Sequence, residues 1–341
     1  MKRLSLLAGA LFSLSACLEN VTENKQEDSA TSTSALEGFK LGIVVSSDLP
    51  NVYFDRAANG AAREFIEQHP EMQITFKNAN DDFETQKSQI KEELDRGVQA
   101  LVLHIGGMSQ NQTAEIVSMV CNAKVPAVYH NVAPRDEILS SCPIAYFVGS
   151  DNIDIGVSQG LAVINAWRNN PDWDKNGDGV IQFAQICLAE KWAPGLERNG
   201  WTHSTIRNYP QLSLEAEQLF GVYPGFQYKQ EDFDVAVEGW KQDPRFEELE
   251  LILSCADGLT DGLVQSLKKH NLKYPIFSME GSEWAREAVS KGEIVHTVPF
   301  QLREEVHAAI NLALNLALPR PLETDVPFLI KDKKVRVGAG K

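Results

Sequence analysis

The sequence predicts an α/β fold of two similar three-layer domains, and three observations carry that expectation. Short apolar runs alternate with amphipathic segments from Phe39 onward, and the alternation starts again after Gly149. Runs such as ALVLHI (100–105) are apolar at all but one position, as strands are when helices cover both faces of a parallel sheet. Two such halves, set face to face, leave a cleft at the carboxyl ends of their strands, where open α/β sheets bind ligands.

Element by element, the first half reads as strand Lys40 to Val45, helix Tyr53 to Gln68 and strand Gln73 to Phe76. Helix Phe83 to Arg96 follows, ended by Gly97, then strand Ala100 to Ile105, helix Gln112 to Cys121, strand Ala127 to His130 and strand Tyr146 to Gly149. The second half reads as helix Val157 to Asn169, strand Gln182 to Leu188, helix Glu197 to Tyr209 and strand Leu214 to Leu219. Helix Phe233 to Gln242, strand Leu249 to Cys255, helix Leu259 to His270 and strand Ile276 to Met279 complete it. The period of strand plus helix makes each half Rossmann-like.

Ahead of this body, Met1-Lys2-Arg3 and the run LSLLAGALFSLSA have the charged and apolar regions of an export signal, too short to span a bilayer. Leu14-Ser15-Ala16-Cys17 resembles the bacterial lipobox, which makes Cys17 the expected lipidation site and residues 1–17 a lipoprotein signal. Residues 18–38 are rich in Glu, Asn, Ser and Thr and read as a flexible tether with an average reach of roughly 25 Å. Leu18 after the Cys favours the outer membrane over the inner one, and the body is expected in the periplasm.

The chain carries 32 Lys and Arg against 47 Asp and Glu, a net charge of −15 that becomes −17 once Lys2 and Arg3 are removed. A nucleic-acid partner selects clustered basic residues, and none cluster here. Export permits disulfides. Cys121 and Cys142 lie near element ends and are the better pair, whereas Cys187 and Cys255 sit within apolar strand patterns as buried thiols do.

The most specific chemistry lies in DKNGDGVIQ (174–182). Asp174, Asn176, Asp178, the Val180 carbonyl and Gln182 repeat positions 1, 3, 5, 7 and 9 of a calcium loop, with Gly179 at the sharp turn. Position 12 is Gln185, which cannot supply the bidentate carboxylate, so the cation needs an acid from elsewhere. Motifs for nucleophilic, zinc or phosphate chemistry are absent. His104 and His130 end strands on the cleft side, with no base or nucleophile paired to either by spacing, and Gly106-Gly107 reads as a plain strand-to-helix turn. No catalytic residue is expected.

The strand-helix opening, VPAVYHNVAPR, YFVGSDN, the DKNGDGVIQ loop and the tail IKDKKVRVG together resemble the type I periplasmic substrate-binding proteins of ABC transport, nearest their galactose/glucose-binding branch. The resemblance runs from Phe39 to Lys341. It implies a three-segment hinge crossing near Gly149-Ser150, Phe300-Gln301 and Pro327-Phe328. Residues 39–149 with 301–327 then form one lobe, and 150–300 with 328–341 the other. It also implies a structural calcium, completed by a distant Glu just before a strand, a position that Glu250 ahead of LILSCAD matches.

Carried over by position, the ligand contacts are Asn51, Tyr53, Asn131, Trp192, Arg198, Tyr228, Asp257, Glu280 and Gln301. Tyr53 and Tyr228 stand for stacking aromatics, and the others for hydrogen-bonding partners of sugar hydroxyls. Pro194, Ala256 and Phe300 stand where the branch has hydrogen-bonding residues, and Glu280 is longer than the expected Asp. The expected activity is capture of a small polyhydroxylated ligand, a monosaccharide or derivative, for an ABC permease. A receptor subunit reporting to a membrane chemoreceptor or kinase is the alternative, and an enzyme built on the cleft the more distant one.

Overall fold

The computed structural model describes residues 35–48, 53–187, 193–222, 226, 229–318, 330–331 and 333–337. Cys17, Asn51, Trp192, Tyr228 and the crossing expected at Pro327-Phe328 lie outside them. Two parallel-sheet α/β lobes result, each with helices on both faces.

The first lobe is built from β1 (Lys40–Val45), α1 (Tyr53–Gln68), β2 (Gln73–Asn78), α2 (Phe83–Asp95), β3 (Ala100–His104), α3 (Gln110–Asn122), β4 (Ala127–His130), α4 (Asp136–Ser140) and β5 (Ala145–Ser150). The second holds α5 (Asn152–Asn169), β6 (Val180–Ile186), α6 (Ala193–Asn208), β7 (Glu215–Phe220), α7 (Gln230–Lys241) and β8 (Leu251–Ser254). It continues with α8 (Asp257–Lys269), β9 (Ile276–Glu280), α9 (Glu283–Ser290) and β10 (His296–Pro299). The chain then returns through α10 (Leu302–Ala317), β11 (Ile330–Lys331) and β12 (Lys334–Val337) to the first sheet.

The first sheet runs β2-β1-β3-β4-β5-β12-β11 and the second β7-β6-β8-β9-β10. Both lobes thus share one winding, in which the strand order reverses between β1 and β3 in the first lobe and between β6 and β8 in the second. Alternate strand residues feed opposite faces. Leu41, Ile43 and Val45 of β1 pack with Ala58, Ala61 and Phe65 of α1 and Ile310 of α10, while Val44 joins Leu101, Ile90 and Ile116 beneath α2 and α3. In the second lobe Ile181 and Phe183 face Val163 and Ile206 of α5 and α6, and Ala184 and Ile186 face Val237 and Leu263 of α7 and α8. Gly156 and Gly160 let α5 and α6 touch closely: a Cβ would lie 2.4 Å from the Arg198 carbonyl oxygen and 2.6 Å from Thr205 Cβ, respectively.

Three expectations are corrected here. The tail belongs to the first sheet, since β12 pairs in parallel with β5 from Lys334↔Phe147 to Val337↔Ser150. Residues 330–331 and 333–337 therefore do not sit in the second lobe as expected for 328–341. The folded body also starts before Phe39, because Leu36 is buried in the first core and Phe39 N–H donates to its carbonyl at 3.0 Å. A tether cannot extend to Gly38. Finally, Cys187 and Cys255 are joined by a disulfide, as Cys121 and Cys142 are. The parallel register Ile186↔Ser254 sets the next residue of each strand side by side, with Cα atoms 5.3 Å apart. Sequence hides this adjacency, because β7 comes between β6 and β8 in the chain but sits at the sheet edge.

Candidate functional site

Strand ends from both lobes converge on the crossover segments. In the first lobe, Ser46 follows β1, His104 ends β3, and Asn131 follows His130 at the end of β4. Asn131 adopts φ 62° and its N–H donates to the Val148 carbonyl at 3.1 Å, which fixes the direction of its side chain. Ser46 Oγ and His104 Nδ1 are 3.0 Å apart. The His104 ring packs, tilted, against Phe54, at 5.2 Å between ring centroids, and His130, at 5.3 Å, with those two rings 6.5 Å apart. Burial, then the neighbouring His130, pushes the His104 imidazole down to about 3. Tyr53 opens α1, and its hydroxyl is held above its usual value by burial and feels Arg286, Glu280, Asp257 and Glu283 of the second lobe.

From the second lobe, Arg198 is fully buried on α6. Its Nε donates to Asn152 Oδ1 at 2.7 Å, and its guanidinium lies 4.3 Å above the Phe300 ring. Desolvation lowers it to about 10, against the nearby charges of Glu280, Glu305 and Glu197. Asp257 spends both oxygens inside the lobe: Oδ1 accepts from Ser278 at 2.6 Å and Thr297 at 2.8 Å, and Oδ2 from Ser282 N–H at 2.7 Å. It organises the loop under Glu280, whose Oε2 accepts from Asp257 N–H at 3.0 Å. Burial first, and the Asp257 charge second, push the Glu280 carboxyl up to about 8. Gln301 occupies the residue before α10, at the second crossing.

Of the expected contacts, Tyr53, Asn131, Arg198, Asp257, Glu280 and Gln301 thus stand around the crossovers, and Ala256 and Phe300 keep the second lobe's side apolar. Sequence reasoning missed Ser46, Phe54, Asn152 and Glu305. Glu305 Oε2 accepts from Ser150 Oγ at 2.8 Å, and its other oxygen lies 3.7 Å from His130 Nδ1. Ser46 was legible as the residue directly after KLGIVV, where a carboxyl-end contact falls; Glu305 was not, since only the fold brings α10 to β4 and β5. A concavity of about 530 Å³ on the outside of the second lobe, between α5 and the β9–β10 edge, stands apart from these groups.

The 174–182 loop forms a tight cage. Asp174 Oδ1 accepts from Gly177 and Asp178 N–H, Asp174 Oδ2 from Gly179 N–H, and Asp178 Oδ1 from Val180 N–H, at 2.8 to 3.2 Å. Gly177 and Gly179 take φ 73° and 74°, which suits residues without Cβ. Glu250 reaches in from the start of β8 and accepts from Lys175 N–H at 2.8 Å and Gln182 N–H at 3.0 Å. Gln182 Oε1 is buried with no hydrogen-bond partner, although Nε2 of the same amide donates to Asp178 at 2.9 Å.

Comparison with known proteins places this arrangement. Residues 41–318 match the family model described as "Periplasmic binding protein domain". The D-galactose/methyl-galactoside binding periplasmic protein of Haemophilus influenzae is 29% identical over 255 residues, 74% of each chain. Among solved structures, an ABC transporter solute-binding protein from Bacillus halodurans with bound myo-inositol superposes with a TM-score of 0.70 at 17% identity, over 89% of this chain and 94% of that one. One from Actinobacillus succinogenes with bound D-allose gives 0.68 at 15% identity, over 89% and 96%. With two lobes of one winding, a doubled crossover and a family match across most of its length, the chain belongs to the periplasmic binding proteins.

Proposed function

We propose that this chain is an exported solute-binding protein that captures a monosaccharide or related polyol between its lobes and presents it to an ABC permease. The observation that carries this reading is convergence: at the carboxyl ends of the sheets Tyr53 of the first lobe feels the Glu280 carboxyl of the second, and Glu280 in turn feels Arg198. Flat rings beside charged and amide groups suit a ligand with alternating C–H faces and hydroxyls. Relatives with bound D-allose and myo-inositol support the ligand class. Pro194, Ala256 and Phe300 remove hydrogen-bonding groups, and a sugar hydroxyl left unmatched in a dry site costs about 1–3 kcal/mol.

A calorimetric and tryptophan-fluorescence screen of monosaccharides, deoxy-sugars and polyols tests the reading. We expect a less hydroxylated or modified sugar to bind more tightly than galactose or glucose. Tight galactose binding overturns the specificity, and a preferred ligand without hydroxyls overturns the sugar class. Arg198→Ala is expected to weaken binding about tenfold or more, as loss of a charge-assisted hydrogen bond does.

Calcium is proposed as the structural cofactor, held by Asp174, Asn176, Asp178, the Val180 carbonyl, Gln182 and Glu250. The orphaned Gln182 Oε1 and an all-oxygen donor set fit a hard cation. Lipidation at Cys17, giving a periplasmic protein anchored to the outer membrane, completes the proposal.

A further inference from the structure

We propose that Asn152 and Phe300 are positioning residues that hold the Arg198 guanidinium from both crossings at once, Asn152 by its amide oxygen from the first and Phe300 by its ring from the second. The hold itself rests on contacts within the protein. Its effect on a ligand rests on the cleft being the ligand site, as proposed above.

The backbone brings these groups together. Asn152 opens α5 directly after Asp151, whose N–H donates to the Val337 carbonyl of β12 at 2.7 Å, so the first crossing is tied to the first sheet where α5 begins. One turn on, Gly156 lets α6 come so close that a Cβ would lie 2.4 Å from the Arg198 carbonyl oxygen and 2.7 Å from Trp201 Cβ. Phe300 follows β10, and its N–H donates to the Glu280 carbonyl at 3.0 Å, which ties the second crossing to the end of β9. Arg198, buried on α6, reaches both crossings.

Chemistry at both ends fixes the Asn152 amide. A guanidinium only donates, and an ionised carboxylate only accepts. Arg198 Nε donates to Asn152 Oδ1 at 2.7 Å, and Asn152 Nδ2 donates to Glu197 Oε2 at 2.8 Å. Turned over, the amide would set its NH2 against the guanidinium and its oxygen against the carboxylate, and both bonds would be lost. On the other side, the Phe300 ring lies 4.3 Å from Arg198 Cζ. A cation over an aromatic face is attracted most strongly where water is excluded, and Arg198 is 1% exposed. Asn152 thus holds the planar group at its Nε edge and Phe300 holds it at a face, which together set its direction.

The test has two arms. In the first, 1H–15N correlation on ligand-free, 15N-arginine-labelled protein reads the Arg198 Nε–H, identified by its disappearance in Arg198→Lys. The expected result is a slowly exchanging proton shifted upfield by the Phe300 ring. Phe300→Leu should remove the upfield shift, Phe300→Tyr should keep it, and Asn152→Ala should speed exchange about tenfold or more, as loss of a charge-assisted hydrogen bond does. A resonance unmoved by Phe300→Leu, or exchange unchanged in Asn152→Ala, overturns the hold.

The second arm is calorimetric, with D-allose, D-galactose and myo-inositol as probes. Phe300→Leu is expected to weaken the tightest of them about fivefold or more, and Phe300→Tyr, which keeps the ring, about twofold or less. In an Arg198→Ala background Phe300→Leu is expected to cost about twofold or less, because the two residues act through one contact. Equal losses in both backgrounds, or equal losses for Leu and Tyr, reduce Phe300 to core packing and overturn the proposal. If none of the three probes binds, the ligand class proposed above fails, and the first arm alone decides the hold on Arg198.

Discussion

Glu280 turns back on itself at φ 110°, a conformation that costs a residue with Cβ about 1–3 kcal/mol. Its carbonyl accepts from Phe300 N–H at 3.0 Å, and Gly281 lies so close to Pro299 that a Cβ would meet its Cα at 2.6 Å. The turn aims the carboxyl at Asp257 N–H and toward Arg198. Because the folded value lies above the ordinary 4.5, the folded state binds more protons than the unfolded one through the interval above that value. Stability from this group is therefore full below pH 4.5 and falls as pH rises toward 8, by at most about 1.4 kcal/mol per pH unit. Melting curves across this range should flatten in Glu280→Gln, which keeps shape and removes the titration. Parallel pH profiles for the two proteins would reject the assignment. The position was readable from IFSMEG by resemblance; the raised carboxyl was not, since its burial is set by the fold and Asp257 is 23 residues away in the chain.

At the scale of elements, the 174–182 loop is the feature that sequence specified most fully. Five oxygen donors and two glycines at fixed spacing dictate the cage, and local hydrogen bonds at Asp174 and Asp178 build it. Glu250 is different: it arrives because β6 and β8 are neighbours, with its own N–H donating to the Gln182 carbonyl at 2.9 Å. A cation bound only by the folded state stabilises it by roughly 4 kcal/mol at a thousandfold excess over its dissociation constant. Chelation should lower the melting temperature, and Glu250→Ala should remove most of that sensitivity. A melting curve indifferent to excess chelator would leave the loop as a hydrogen-bonded turn. The same strand adjacency joins Cys187 to Cys255, so one topological fact explains both the expected Glu and the unexpected bridge.

Across the whole molecule, the two lobes place their switch points toward one another, with the Ser46–His104 contact at one and the Cys187–Cys255 bridge at the other. Glu305, hydrogen-bonded to Ser150, links the two crossings, so a hinge motion must work around this buried contact. Capture of solute also depends on where the body is held. If Cys17 carries acyl chains, processed protein should sediment with membranes and move to the soluble fraction in Cys17→Ser. Wild-type protein found wholly soluble after processing would remove the anchor from the account. No helix among the described residues is long and apolar enough to cross a membrane, so the anchor is the attachment this proposal invokes.

Sequence by itself determined the periodic elements and the calcium-like loop, because both rest on interactions between residues near in the chain. Lys40–Val45, Tyr53–Gln68 and Ala127–His130 take the bounds that their apolar spacing indicates. The short helix at Asp136–Ser140 and the edge strand His296–Pro299 carry too little pattern to stand out. Tertiary structure alone decided strand order, and with it every contact between distant segments: β12 beside β5, Cys187 beside Cys255, Glu305 beside Ser150 and His130, and Ser46 beside His104. Those pairs arise from parallel strands joined through helices, a geometry in which neighbours in space lie tens of residues apart in sequence.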